Sequence, residues 1–259
     1  MPPTTTSPKH EFSEELQEIE ADLLQRVEDL VIEDDTPVDN IFSEKEQRLL
    51  TESLYSSWTG PLDEEEHSRK FLALANVGLF PAINRDPLVP DVLLSLDVIA
   101  KDLREKRNRT YLVWEFGKLP EVVIEIVSNK KGGEKSRKLG EYARINIPYY
   151  VIHDPRNLLG DETLLIFEWQ AGRYVRRHEN YLPLIQLGLT LWKGNYQDMD
   201  SEWLRWCDET GSLIPTGAEL AQRETERAQR ETERAQREAE RAHRMAAKLR
   251  ELGLDPEQI

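Results

Sequence analysis

Leu119–Ser128 reads LPEVVIEIVS, a bounded apolar run that is β-branched through its centre and carries one glutamate there, Glu125. Its length and composition predict a buried central strand. Alternate residues of a strand share a face, so Val123, Glu125 and Val127 point one way while Val122, Ile124 and Ile126 point the other. An ionised carboxylate in apolar surroundings is costly unless it is paired or coordinates a metal. Glu125 is therefore either the partner of a core Lys or Arg or a member of a site, and its neighbours must decide between the two.

Upstream lies VPDVLLSLDV, Val89 to Val98, whose alternation places Asp91, Leu93, Ser95 and Asp97 on one face. Before it, FLALANVGLFPAI reads as an extended apolar stretch feeding the core. After it, KDLREKRNR is a charge-dense loop or short helix, and YLVWEFG, Tyr111 to Gly117, is a further strand. Behind the central strand, NKKGGEKSRKLGEYARINI opens with glycines suited to a tight connection and continues as a helix over Glu134 to Ile145. Glu134, Lys138 and Tyr142 are spaced four apart and share one face of it. PYYVIHDP reads as a strand and TLLIFEWQAGRYVRR as a hairpin around Ala171-Gly172. The Trp-rich stretch from Gly188 reads as a closing hairpin and helix, with Trp192, Trp203 and Trp206 in the core.

Asp91, Glu125 and Lys138 thus come from two strands and the helix that follows. Two carboxylates on one face suit a hard cation such as Mg²⁺, with Mn²⁺ as a substitute and waters filling the other positions. A lysine beside them can orient or deprotonate a water, or stabilise charge building on a phosphate. Metal-assisted hydrolysis of a phosphodiester needs those parts.

VPDVLLSLDV, VVIEIVSN and GEKSRKLGEYARINIPYYVIHDP, in that order, resemble the Uma-type restriction endonuclease family within the PD-(D/E)XK nuclease superfamily. The resemblance covers roughly residues 67–215. It implies an α/β, restriction-endonuclease-like mixed central sheet flanked by helices, with Pro90-Asp91 as the PD element and Glu125 as the second acid. It also implies a Mg²⁺-dependent endonuclease acting on DNA, with catalytic Asp91, Glu125 and Lys138 and metal ligands Asp91 and Glu125. The superfamily pattern expects Lys two positions after the Glu, where this chain has Val127. Similar sequences supply the amine from the next helix, four residues before a tyrosine, which here is Lys138 before Tyr142. Lys135, Lys130 and Lys131 compete for that role. Glu134 is expected to hold Lys138 rather than a second metal, Tyr142 to pack, and Asp97 to lie outside the site. Glu52 is a candidate to complete the metal shell. His67, His153 and His178 show no metal-ligand spacing.

The 259 residues carry a net charge of −15, and all of the excess lies in residues 1–66, which hold 19 acidic and 4 basic side chains. The expected division is an acidic N-terminal helical region over 1–66, a nuclease core over 67–218 and a C-terminal helix over 219–259. Residues 11–31 and 43–58 read as helices, the second capped by Ser43 with Glu46 three residues on. No basic, aromatic-interleaved stripe marks a substrate groove. From Ala221 the chain repeats AQRETER in heptads with a thin Ala/Thr seam, which predicts a long helix and a weak coiled coil through which residues 221–250 can self-associate. One cysteine, Cys207, excludes a disulfide scaffold within one chain. No transmembrane run or secretory signal is expected, so the default is a cytoplasmic protein with no membrane partner. A competing function remains: a catalytically degenerate nuclease fold that binds or assembles through its C-terminal helix.

Overall fold

The computed structural model describes residues 8–30, 32, 40–129 and 132–251. The candidates Lys130 and Lys131 fall outside them. The chain forms two compact units, 1–214 and 215–259.

The first unit is built on a six-stranded mixed sheet. Its strands are β1 (Phe71–Ala75), β3 (Val92–Leu96), β5 (Val122–Ile126), β6 (Tyr149–His153), β7 (Leu164–Gln170) and β8 (Arg173–Arg177), in that spatial order. β5 lies antiparallel to β3 and parallel to β6, with Ile124 opposite Val92 on one side and Val151 on the other. A parallel pair needs a crossover connection, here the helical segment after β5. β3, β5 and β6 are buried along their full lengths, which explains their near-continuous apolar sequences.

The two faces of the sheet carry separate cores. Val92, Leu94, Val122, Ile124 and Val151 pack against Leu50 and Leu54 of α2 (Ile41–Ser57) and against Leu189, Leu204 and Trp206. The last three belong to a small antiparallel sheet of β9 (Tyr181–Leu182), β10 (Leu187–Tyr196) and β11 (Met199–Cys207). On the other face, Leu93, Val123, Val127, Tyr150 and Ile152 pack against Tyr142 and against Leu79 and Tyr111, from β2 (Leu79–Phe80) and β4 (Tyr111–Leu112), a short parallel pair. Beyond that pair, Phe80 and Leu112 receive Val27 of α1 (Pro8–Glu28).

Three local expectations are corrected. The second helix starts earlier than Ser43: Asn40 is its cap and accepts the Ser43 N–H at 3.2 Å, while Glu46 is fully buried and accepts the Leu204 N–H at 2.9 Å. Only Tyr111 and Leu112 of YLVWEFG are strand. Val113–Phe116 forms a helical turn, α3, closed by Gly117 in the left-handed region at φ 74° with its N–H on Val113 O at 2.8 Å. Both halves of the Trp-rich stretch are strands; Trp203 and Trp206 are fully buried and Trp192 is half-buried. The hairpin at Ala171-Gly172 forms with φ of 49° and 90°, the left-handed pair that a two-residue hairpin turn requires.

A buried pair on the α2 face carries a pH prediction. His153 Nδ1 lies 3.6 Å from Glu46 Oε2, both side chains being fully buried. Burial pushes Glu46 well above its ordinary value and His153 down to about 4. Taken alone, His153 stabilises the fold above pH 6.5, and that contribution is lost as pH falls through about 4. Glu46 runs the other way: its contribution is present below pH 4.5 and is lost as pH rises. The two groups shift in opposite directions, so their pH slopes oppose each other. Glu46→Gln is expected to unmask a fall of about 3 kcal/mol as pH drops from 6.5 to 4, read by urea unfolding at each pH. His153→Phe should unmask the opposite slope.

The second unit contains α5 (Gly217–Glu251), a continuous helix supported by ion pairs at i, i+4 such as Arg227 with Glu231 and Arg234 with Glu238. Thr216 opens it with a capping box: its hydroxyl accepts the Glu219 N–H at 3.2 Å, and Glu219 accepts the Thr216 N–H at 2.7 Å. No described helix is long and apolar enough to cross a membrane.

Candidate active site

Asp91 precedes β3 directly, and Glu125 lies one residue before the end of β5. The Val92–Ile124 register, continued by one residue, sets these two acids side by side on one face of the sheet. They are 6% and 1% exposed, which no unpartnered carboxylate tolerates. Asp91 Oδ2 accepts the Ile126 N–H at 2.6 Å and Oδ1 accepts Gln47 Nε2 at 2.8 Å. Gln47 Oε1 in turn accepts Asn76 Nδ2 at 2.7 Å, and the Asn76 N–H is bonded to Asp91 O at 3.1 Å.

The helix after β5 supplies partners for Glu125. It begins as a π-turn over Glu134–Lys138, with the Lys138 N–H on Gly133 O at 3.0 Å, and continues as α4 (Leu139–Arg144). Lys138 Nζ donates to Glu125 Oε2 at 2.7 Å and Tyr142 OH donates to Glu125 Oε1 at 2.7 Å. Turns of this kind are frequent at functional sites, where they re-aim side chains. Burial pushes the Glu125 carboxyl up to about 8; Lys138 opposes the shift and the neighbouring Asp91 charge adds to it. Burial also works against the Lys138 ammonium, but Glu125 outweighs it and Lys138 is raised.

The family model described as "Uma2: Putative restriction endonuclease" matches residues 14–190. The chain belongs to the Uma2 family. No curated protein and no solved structure matches it. Membership in the Uma2 family supports a nuclease-type function, and the mixed sheet with flanking helices is consistent with a restriction-endonuclease-like fold.

Asp91, Glu125 and Lys138 meet at one point of this Uma2 fold. The other candidates fall elsewhere. Lys135 Nζ is bonded to Leu159 O at 2.9 Å, and Asp97 pairs with Arg69 at the far end of β3. Glu52 accepts a hydrogen bond from Tyr196 OH at 3.0 Å and is no part of the cluster. Glu134 is buried but forms no ion pair with Lys138; its Oε2 has no hydrogen-bond partner among the described residues. Tyr142 packs, with its ring 5.0 Å from that of Tyr150, and is also a direct partner of Glu125.

Gln47 is the site residue that spacing alone does not find. The only signal is that the buried face of α2 mixes Ser43, Glu46, Gln47 and Ser53 with its leucines, where a purely packing helix would be apolar.

The donor set suits a hard divalent cation. Two carboxyl groups stand together with all four oxygens accepting hydrogen bonds, and once Glu125 ionises they carry more negative charge than Lys138 neutralises. Among the described residues no group of three or more His, Cys, Asp or Glu could hold a metal. Two carboxylates with waters or substrate oxygens completing the shell is the arrangement that Mg²⁺ accepts.

Proposed function

We propose that this chain is a Mg²⁺-dependent endonuclease that hydrolyses DNA phosphodiester bonds, with Mn²⁺ able to replace Mg²⁺. Asp91 and Glu125 hold the cation, and Lys138 acts on the attacking water or on the phosphate. The observation that carries this reading is the 2.7 Å contact of Lys138 Nζ with Glu125 Oε2, which delivers the amine from the following helix although Val127 stands at the usual lysine position.

The bound cation would polarise a phosphoryl oxygen and lower the pKa of a bound water. The residues of the chain do the rest. Gln47 and the Ile126 N–H fix the Asp91 carboxylate, Tyr142 fixes that of Glu125, and Lys138 keeps a proton and a positive charge at the edge of the pair. Rigid placement of this kind is what phosphoryl transfer asks of a protein.

Glu125 must lose its proton to bind metal. With its carboxyl pushed up to about 8, Mg²⁺ affinity should rise about tenfold per pH unit below that value and level off above it. Isothermal titration with Mg²⁺ across a pH series, in buffers of different ionisation enthalpy, measures the affinity and the released proton. Affinity independent of pH between 6 and 8, with no proton released, would show that Mg²⁺ binding does not deprotonate Glu125.

An assembly role for α5 is the second reading, favoured by the exposure of its seam residues Thr225, Ala228, Thr232 and Ala235. An Ala/Thr seam buries little area per heptad, so any dimer should dissociate at micromolar concentration in sedimentation velocity.

A further inference from the structure

Ile99–Thr110 joins β3 to β4 and contains five Lys or Arg against two acids, Asp102 and Glu105. Arg104 pairs with Asp102 and Arg107 with Glu105, both at 2.6 Å. The Arg104 side chain is 90% exposed, Arg107 is half-buried, and Lys101 pairs with Glu115 at 3.3 Å; surface pairs of this kind exchange for other anions. Lys106 spends its donor on a neutral carbonyl, Glu28 O, so its charge is not cancelled there. Two aliphatic side chains stand out among these cations: Ile99 is 67% exposed and Leu103 63%. A groove of about 390 Å³ separates the loop from α1, lined by Leu24, Val27 and Glu28 on one wall and by Arg104, Lys106 and Arg107 on the other.

The loop leaves the Asp97 end of β3, and its last residue is tied to the segment that follows β1. There Thr110 Oγ1 donates to Gly78 O at 2.6 Å and the Tyr111 N–H donates to the same oxygen at 2.9 Å. Gly78 lies two residues beyond Asn76, whose amide holds Gln47 against Asp91. A cluster of buried carboxylates repels a polyanion, so a nuclease site of this kind needs cations close by to retain the backbone. This loop is the cation-rich segment that leads to it.

We propose that Lys101–Arg109 is the surface that holds the phosphodiester backbone of DNA beside the Asp91–Glu125 site, with Leu103 as an apolar tip that enters a groove or rests on a base. The inference rests on the nuclease reading and names where its substrate is gripped. Basic loops with apolar tips also suit anionic bilayers. Here the neighbouring α1 carries seven acidic residues against two basic ones, which opposes a broad anionic surface. A rod-like duplex can touch the loop alone.

The test is fluorescence anisotropy of the full chain in EDTA, with a labelled duplex and its single strand, over a salt series. Arg104→Glu with Arg107→Glu should weaken binding at least about tenfold and lower the slope of log K against log salt by about 2. Arg104→Gln with Arg107→Gln, which disturbs the loop less, should lower the slope by about 2 as well while weakening binding less than the reversal does, and decides the matter if the charge reversal unfolds the protein. Lys193→Glu, an 82% exposed side chain on β10, should bind as wild type does.

Equal affinity and slope for wild type and the Arg variants would overturn the proposal. So would wild type that binds neither oligonucleotide, or that binds only phosphatidylserine vesicles. Because EDTA prevents cleavage, the two claims fail separately. Binding through the loop without cutting in Mg²⁺ removes only the catalytic reading, and cutting with unchanged binding in the variants removes only the loop.

Discussion

Glu125→Gln is expected to lose metal-dependent cleavage by on the order of 10³-fold, together with Mg²⁺ binding, while the protein stays folded. The amide keeps the shape of the side chain, so its carbonyl oxygen can still accept from Lys138 Nζ while its NH₂ donates to the Tyr142 hydroxyl. The same substitution carries a stability signature. Because the folded carboxyl is raised to about 8, the contribution of Glu125 is fully present below pH 4.5 and is lost as pH rises through about 8. Wild type should therefore lose about 4 kcal/mol between those limits through this group, and Glu125→Gln should lose none of it. Denaturant unfolding at pH 5 and pH 9 checks this. An unchanged pH slope in the variant would mean that Glu125 is ionised throughout, as an ordinary ion-paired carboxylate is.

Lys138→Met is expected to cut cleavage by about 10²- to 10⁴-fold with Mg²⁺ binding retained at a pH high enough to ionise Glu125. Lys138 holds the Glu125 carboxyl down as well as competing with a cation for its charge. Its removal therefore shifts metal binding to higher pH but leaves both carboxyl groups in place. Its Nζ, in a side chain 23% exposed, has one face on Glu125 and another toward water, where a substrate phosphate or a nucleophile would stand. Single-turnover cleavage at saturating Mg²⁺ measures the chemical step. Full activity in Lys138→Met would reduce Lys138 to a counter-ion.

The elements that the sequence made legible are those set by short-range periodicity. Strand alternation grouped Asp91 with Leu93 and Glu125 with Val123, and helical spacing placed Lys138 and Tyr142 together, because both patterns depend only on the local backbone; it is the β3–β5 register that brings the two acids side by side. Gln47 was not legible. It reaches Asp91 through the docking of α2, 44 residues away in the chain, and nothing in its own neighbourhood distinguishes it from Glu52. The capping box at Ser43 failed for a related reason: Glu46 matches that pattern, but its carboxyl is drawn into the core by the Leu204 N–H. YLVWEFG has strand composition, yet Gly117 in the left-handed region closes a helical turn there, a case of tertiary context overriding propensity. Lys101–Arg109 looked merely charge-dense because what the loop packs beside depends on long-range contacts such as that of Thr110 with Gly78.

The measurement that tests the central claim most directly is cleavage of supercoiled plasmid and of single-stranded DNA, with Mg²⁺, Mn²⁺ or EDTA, by wild type, Asp91→Ala, Glu125→Gln and Lys138→Met, each first shown to be folded by circular dichroism. The account predicts cutting by wild type only with a divalent cation, none by either carboxylate variant, and a slowed reaction for Lys138→Met. Cutting by Asp91→Ala or Glu125→Gln at the wild-type rate, or wild type that neither cuts DNA nor binds Mg²⁺, would contradict it.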